Sequence, residues 1–348
     1  MSSNIINRKE ALSLLENESL LTLGEMANDI KKKIHNNSKL ITFVIDRNIN
    51  YTNICKCKCK FCAFYREEDS KDAYLLDKEQ IFQKIEETID LQGTQILIQG
   101  GLHPLLKINY FTDLFSSIKN RYNINIHGLS APEIWHIAQN SGISVEDTLK
   151  RLKDSGLGSI PGGGAEILVD KVRSQISPNK ISWDKWAYVI KTAHKLGIRT
   201  SATMMFGTVE NSEDIVEHLF RVREIQEESG GFTAFICWSF QPLNTELHKS
   251  VNYSSTGVDF LKILALSRIV LNNIKNIQTS WVTQGSKIAQ TSLFFGANDF
   301  GSTMIEENVV AAAGVNFRMS IDDIVYLIKD AGFEPAQRDT FYNIVRKL

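Results

Sequence analysis

Two periodicities of apolar residues divide the chain. From residue 7 to 35 the spacing is helical: Ala11, Leu12, Leu14 and Leu15, then Leu20, Leu21, Leu23, Met26 and Ile30, predict two helices. A short β-rich run covers Leu40–Ile45, and beyond it the pattern alternates. Runs bounded by turn residues predict strands at Ile49–Asn53, Gln95–Gln99, Ile124–His127, Gly158–Ile160, Arg199–Met205, Thr233–Trp238, Ile277–Val282 and Ser292–Phe295. Between most of them the helical spacing returns. Ile81, Phe82, Ile85 and Ile89 share one face, with Asp77 and Gln80 spaced as a cap pair; Trp186, Val189, Ile190 and Ala193 share another that stops at Gly197.

Strand–helix alternation repeated about eight times predicts an α/β protein, its parallel sheet covered by helices. Eight units close naturally into a (β/α)8 barrel of the TIM type, and a doubly wound open sheet is the alternative. The expected organisation is an N-terminal helical extension over 1–40, the barrel over 41–320, and a C-terminal helical tail over 321–348 packed on it, with Ser320 as its cap. Turn residues mark one end of this barrel. Pro104, Pro132, Pro161 and Pro242 each follow a predicted strand by one to five residues, with Gly100–Gly101 and Gly162–Gly164 in the same places. Barrel enzymes do their chemistry at that end, although strand termination alone also favours these residue types.

Composition narrows the partners. The 348 residues carry 39 Lys plus Arg against 40 Asp plus Glu, a net charge of -1, which leaves no broad basic field for a nucleic acid. Apolar residues at 43% and charged residues at 23% exclude a largely disordered chain. The N-terminus has scattered charges and no apolar core of a secretory signal, and no run of ~18 apolar residues reads as a membrane span, so a cytoplasmic location is expected. Of five cysteines, four (Cys55, Cys57, Cys59 and Cys62) lie together and one, Cys237, is distant. A local cluster in a long chain reads as a metal or cluster site, not as a disulfide framework.

That cluster follows the first strand in NICKCKCKFCAFYR. Cys55, Cys59 and Cys62 are spaced C-x3-C-x2-C, so one loop offers three thiolates where a 4Fe–4S cluster usually takes four, leaving one iron open. An open, reducible iron can chelate the amino and carboxylate groups of S-adenosylmethionine. The radical chemistry is then the cofactor's, and the protein positions and shields it. Cys57 opens a competing reading, C-x-C-x-C-x2-C, as a four-thiolate zinc or cluster site. Zinc sites built from cysteine pairs draw them from separated segments, which this chain does not offer.

With Phe61 before the last cysteine, the motif resembles the radical S-adenosylmethionine superfamily. The segments DRNINYTNIC, KFCAFYR, IQGGLHP, IHGLSAPEI, SIPGGGAEIL, SATMMFG, GGFTAFICWSFQP and FGANDFGSTM resemble the family of cyclic dehypoxanthine futalosine synthases of the futalosine route to menaquinone. The resemblance implies an oxidoreductase holding a 4Fe–4S cluster on Cys55, Cys59 and Cys62 and binding S-adenosyl-L-methionine. It implies hydrogen abstraction from the ribose C4′ of dehypoxanthine futalosine, addition of the carbon radical to the benzoate ring, and loss of a proton and an electron. Gly100 and Gly101 would let backbone approach the cofactor beside Phe61, and Glu166 could bind ribose hydroxyls. His103, Glu133 and Asp299 are the candidate proton acceptors, while His194 and His218, on helices, read as structural. Phe206, Trp238 and Phe240 could stack on an aromatic substrate or belong to the core. Lys56, Lys58 and Lys60 form either a solvated loop or a docking patch for a flavodoxin or ferredoxin-type electron donor. Sister enzymes, aminofutalosine synthase and the deazaflavin (FO) synthase halves, share these motifs. A non-catalytic iron–sulfur or zinc module is the remaining alternative, with little use for glycine- and proline-rich loops on one face.

Overall fold

The structure, a computed structural model, describes residues 6–251 and 254–348. Eleven strands make one sheet: β1 (Leu40–Val44), β2 (Asp46–Asn50), β3 (Gln95–Gln99), β4 (Asn125–Gly128), β5 (Leu157–Ile160), β6 (Arg199–Phe206), β7 (Phe232–Ser239), β8 (Asn276–Gln278), β9 (Asp299–Ser302), β10 (Glu334–Arg338) and β11 (Ile344–Lys347). Neighbours from β2 round to β9 pair in parallel, each β3–β8 pairing bridged by a helical crossover.

The ring closes because β1 and β2 are one strand broken at Ile45. β1 lies beside β9, and β2 lies beside β3. At the break the Val44 carbonyl accepts from Thr303 N at 2.9 Å, the Asp46 carbonyl from Ile305 N at 3.2 Å and the Ile45 carbonyl from Thr94 N at 3.2 Å. Counting β1–β2 once, this is the expected (β/α)8 barrel.

Helices wrap the outside as their periodicity requires. On Lys78–Asp90, Ile81, Phe82 and Ile85 are buried, and Asp77 and Gln80 form the reciprocal cap. The N-terminal helices Arg8–Asn17 and Leu20–Ile34 pack on the barrel helices Ser212–Ser229 and Gly257–Val270. There Arg8 bridges Glu217 and Glu224, both at 2.7 Å. No helix among the described residues is long and apolar enough to cross a membrane.

Three expectations need correction. The eighth strand is Asp299–Ser302; Ser292–Phe295 instead ends the helix Trp281–Ser292 and its following turn, because a short apolar run does not distinguish a strand from a buried helix end. Ile277–Val282 is split, with β8 ending at Gln278 and Trp281 opening that helix. The tail is helical only over Ile321–Asp330, capped by Ser320 as expected. It then adds β10, parallel to β1, and β11, antiparallel to β10. The β10 sequence EPAQR has little strand propensity, and pairing with β1 supplies what local preference lacks. The turn after β10 folds under the N-terminal mouth of the barrel, where Asn125 Nδ2 donates to Thr340 Oγ1 at 2.8 Å.

Candidate active site

A cavity of about 460 Å³ runs along the barrel axis from the loops at the C-terminal ends of the strands down to Arg338, Thr340 and Tyr342. Its size suits a small-molecule ligand. Cys55, Cys57, Cys59, Phe61 and Cys62 all border it.

The cysteine loop is stapled to two neighbouring segments. Leu102 N donates to Cys55 Sγ at 3.2 Å and Lys56 N to the Leu102 carbonyl at 3.1 Å. Lys60 N reaches the Ile176 carbonyl at 2.9 Å, and Asn179 Nδ2 donates to the Cys57 carbonyl at 3.2 Å. Gly101 makes the first contact possible: a Cβ there would stand 2.2 Å from the Ile54 carbonyl oxygen and 2.8 Å from Cys55 Cβ. The Cys57 thiol lies 3.5 Å from Cys59 Sγ. That hydrogen bond, with Lys180 beside it, pulls the Cys59 thiol down against the opposing effect of burial, whereas burial pushes Cys62 up to about 11.

This donor set fits an iron–sulfur cluster. Soft thiols line one wall, and a backbone N–H already points at one sulfur. Among the described residues no three His, Cys, Asp or Glu side chains converge as a single metal ion requires. Three thiols offered by one loop suit a cluster that gives each thiolate its own iron better than the closed four-ligand shell of zinc.

The other sequence candidates divide. Gly100, Gly101 and Glu166 border the cavity. Glu166, at φ +41°, accepts from Lys180 Nζ at 2.9 Å through Oε1, while its buried Oε2 has no hydrogen-bond partner. Trp238 and Phe240 border the cavity, but Phe206 is in the core. Glu133 borders it too, with both oxygens occupied: Oε1 accepts from Tyr51 Oη and Gly100 N, both at 3.0 Å, and Oε2 from Ser130 N at 2.7 Å and Ser130 Oγ at 2.6 Å. Burial pushes its carboxyl up to about 7. Glu133 thus positions the Gly100 turn and has no free lone-pair direction toward a substrate.

Two expected proton acceptors are misplaced. The His103 side chain turns onto its own loop, where Nδ1 accepts from Leu105 N at 3.2 Å, away from the cavity lining. Asp299 is fully buried behind that lining, gripped by Arg338 Nε at 2.5 Å and Nη2 at 3.0 Å. A strand-end position indicated the correct face of the barrel, but not the direction of either side chain. His194 and His218 are structural as expected, bonded to Ser229 and Thr200 and to Leu168 N respectively.

Several cavity residues were missed. Lys180 is half-buried between the cysteine loop and Glu166, with Nζ 4.9 Å from the Phe61 ring centroid. Asp46, Asn48 and Gln95 line the barrel interior. Their signal was in the sequence: DRNIN alternates polar residues along a strand whose inner face a packed barrel would make apolar.

The Radical SAM superfamily profile matches residues 49–222, and that of the CofH/MqnC C-terminal region matches residues 229–347. The chain is 48% identical to a cyclic dehypoxanthine futalosine synthase of Halalkalibacterium halodurans, over 98% of this chain and 92% of that one. It is 43% identical to a 5-amino-6-(D-ribitylamino)uracil–L-tyrosine 4-hydroxyphenyl transferase of Methanococcoides burtonii, over 97% and 96%. Among solved structures, methylornithine synthase shares the fold at a TM-score of 0.75 and 18% identity, covering 96% of this chain and 95% of that one.

Proposed function

The chain belongs to the radical S-adenosylmethionine superfamily, and from that premise we propose that it cyclises dehypoxanthine futalosine in menaquinone biosynthesis. It is a radical S-adenosylmethionine enzyme, and its cofactors are a 4Fe–4S cluster and S-adenosylmethionine. The observation that carries the finer reading is the 48% identity to a cyclic dehypoxanthine futalosine synthase across nearly the whole chain. The 43% relative favours a second reading, transfer of a tyrosine-derived hydroxyphenyl group to a ribityl-bearing acceptor.

When bound, the cofactor pair supplies a hydrogen-abstracting adenosyl radical. The remaining work falls to this chain's own groups. Cys55, Cys59 and Cys62 would hold three irons, with Cys57 as a supporting thiol. Gly100 and Gly101 would admit the cofactor against bare backbone, and Glu166 Oε2, which faces Arg173 Nη1 at 3.6 Å without a hydrogen bond, would accept from one of its hydroxyls. Phe61 and the apolar walls would exclude water and stray hydrogen donors, while the enclosed barrel holds ribose C4′ near the reacting carbon. Cyclisation removes two hydrogens from the substrate, one as an atom and one as a proton with its electron. A flavodoxin or ferredoxin-type protein would deliver the reducing electron where Lys56 and Lys58 reach the surface. Lys58 already pairs with Glu67 at 2.7 Å, so charge attraction there is modest.

The test is anaerobic incubation of the iron-reconstituted enzyme with S-adenosylmethionine, dithionite and dehypoxanthine futalosine, read by mass spectrometry. A product two mass units lighter, together with 5′-deoxyadenosine, is expected. Consumption of tyrosine and 5-amino-6-ribitylaminouracil instead would transfer the chain to the second reading. Alanine at Cys55, Cys59 or Cys62 should abolish product and cluster absorbance, whereas Cys57→Ala should retain both. Loss of cluster in Cys57→Ala alone would overturn the ligand assignment.

A further inference from the structure

His127 is the last inward side chain of β4. Ile126 before it packs into the surrounding core, and the imidazole borders the cavity. Its partner on β3 is Leu97, three residues before Gly100 and about 10 Å from it along the strand. The ring therefore stands one side-chain layer below Gln99 and the Gly100–Gly101 turn, and above the floor where Asn125 meets Thr340.

A line of hydrogen bonds fixes the polarity of that imidazole. Asn125 Nδ2 donates to Thr340 Oγ1 at 2.8 Å and to Ser159 Oγ at 3.2 Å, and Ser159 Oγ lies 2.7 Å from His127 Nδ1. Ser159 is buried, and its hydroxyl has a single hydrogen to place. With the amide donating to it from one side, that hydrogen goes to Nδ1, so the ring's own hydrogen sits on Nε2. Nε2 has no partner among the described residues and opens on the cavity. Burial, with Arg338 nearby, pulls His127 down to about 3, which keeps the ring neutral at neutral pH. Across the barrel the hydroxyls are already spent. Ser201 Oγ accepts from Gly162 N at 3.0 Å, Thr203 Oγ1 donates to the Gly162 carbonyl at 2.6 Å, and Thr233 Oγ1 donates to the Thr200 carbonyl at 3.2 Å.

The cyclisation proposed above needs a neutral donor of this kind. The benzoate ring of its substrate bears a ketone, joined to C4′ through two methylenes. When the C4′ radical bonds to the ring carbon beside the ketone, one aromatic π bond opens and the unpaired electron spreads onto the ketone oxygen. Loss of the proton from that ring carbon leaves a ketyl radical anion, and loss of its electron to the oxidised 4Fe–4S cluster restores the arene. We propose that His127 is a catalytic residue that donates from Nε2 to the ketone oxygen and stabilises the charge and spin that cyclisation places there. This rests on the reaction proposed above. A carbonyl only accepts and this N–H only donates, and the ketone reaches the layer below the glycine turn once C4′ lies beside the adenosyl carbon.

The experiment measures cyclised product and 5′-deoxyadenosine together in wild-type, His127→Leu and His127→Gln holoenzyme, with iron per chain and thermal melting read alongside. Hydrogen abstraction precedes any charge on the ketone. His127→Leu should therefore go on making 5′-deoxyadenosine, while product formed per 5′-deoxyadenosine falls about 100-fold, the scale of a lost oxyanion donor. His127→Gln keeps an N–H without a basic nitrogen and should hold that ratio within about tenfold of wild type. An unchanged ratio in His127→Leu overturns the proposal, as does a parallel loss of both compounds, the mark of a structural histidine. A glutamine variant as uncoupled as the leucine variant also overturns it, since the imidazole would then be acting as a base. Should His127→Leu lose its cluster, Ser159→Ala takes its place: it releases the tautomer, and the ratio should fall about three- to tenfold, with no fall overturning the proposal. Wild-type enzyme that leaves dehypoxanthine futalosine intact overturns the reaction and the proposal together, whereas wild-type cyclisation with indifferent variants overturns the proposal alone.

Discussion

Gly101 bears on the cluster site although it has no side chain. Its Cα faces the Ile54 carbonyl and Cys55 Cβ so closely that even a methyl group must displace the cysteine loop, and the nearest obstacle is backbone, which cannot swing aside. Gly101→Ala should therefore keep its far-ultraviolet circular dichroism but lose most of its bound iron after reconstitution, measured as iron per chain. Full iron loading would sink the argument. At this scale the sequence was informative where chemistry alone restricts the choice, as with the clustered cysteines and the glycines after β3. It was uninformative where side-chain direction decides. His103 and Asp299 occupy plausible strand-end positions, yet one turns onto its own loop and the other is gripped by Arg338, a residue far along the chain that no local pattern couples to it.

Elements show the same division. The helices were legible because a 3.6-residue period and a cap pair are local properties, and Asp77–Gln80 and Ser320 cap where expected. β9 and β10 were not, because Asp299–Ser302 and EPAQR owe their strand character to pairing with β1. Docking of one element on another has a measurable signature at His218, on the helix Ser212–Ser229. Its Nδ1 accepts from Leu168 N at 3.0 Å at the end of the glycine-rich turn. Burial, with Arg173 and Arg221 nearby, pulls His218 down to about 3. The unfolded chain takes up a proton near pH 6.5 that the folded chain refuses. Folded stability is therefore complete above about 6.5 and drains by about 1.4 kcal/mol per pH unit as the pH falls toward 3. In His218→Asn, which keeps an acceptor for Leu168, that part of the slope should vanish. Urea melts at pH 8, 6 and 5 should then bring variant and wild type steadily closer, and parallel curves would contradict it.

For the whole molecule, closure of the barrel depends on a charge pair that spans it. Arg338, from the strand added beyond the barrel, meets Asp299 on the last barrel strand, and both are buried. Removing one partner strands a charge: Arg338→Met should cost roughly 3–5 kcal/mol in chemical denaturation. The double variant Arg338→Met/Asp299→Leu should recover most of that loss, since the penalty comes from the unpaired carboxylate. No recovery would mean that the guanidinium holds the barrel floor through its other contacts.

The same closure sets a schedule. Thr42 and Asp299, which hydrogen-bond across the seam, are 257 residues apart in the chain. The cysteine loop follows the first of them closely and precedes the second by roughly 240 residues, which at ribosomal speed is an interval on the order of 10 to 50 s. Throughout that interval the ring stays open at the seam between β1 and β9. The cysteine loop's own partners come sooner, Leu102 first and Ile176 about midway through the interval. The loop is fully braced only once Leu102 and Ile176 have been made, so cluster loading is expected to follow synthesis of the first half of the barrel.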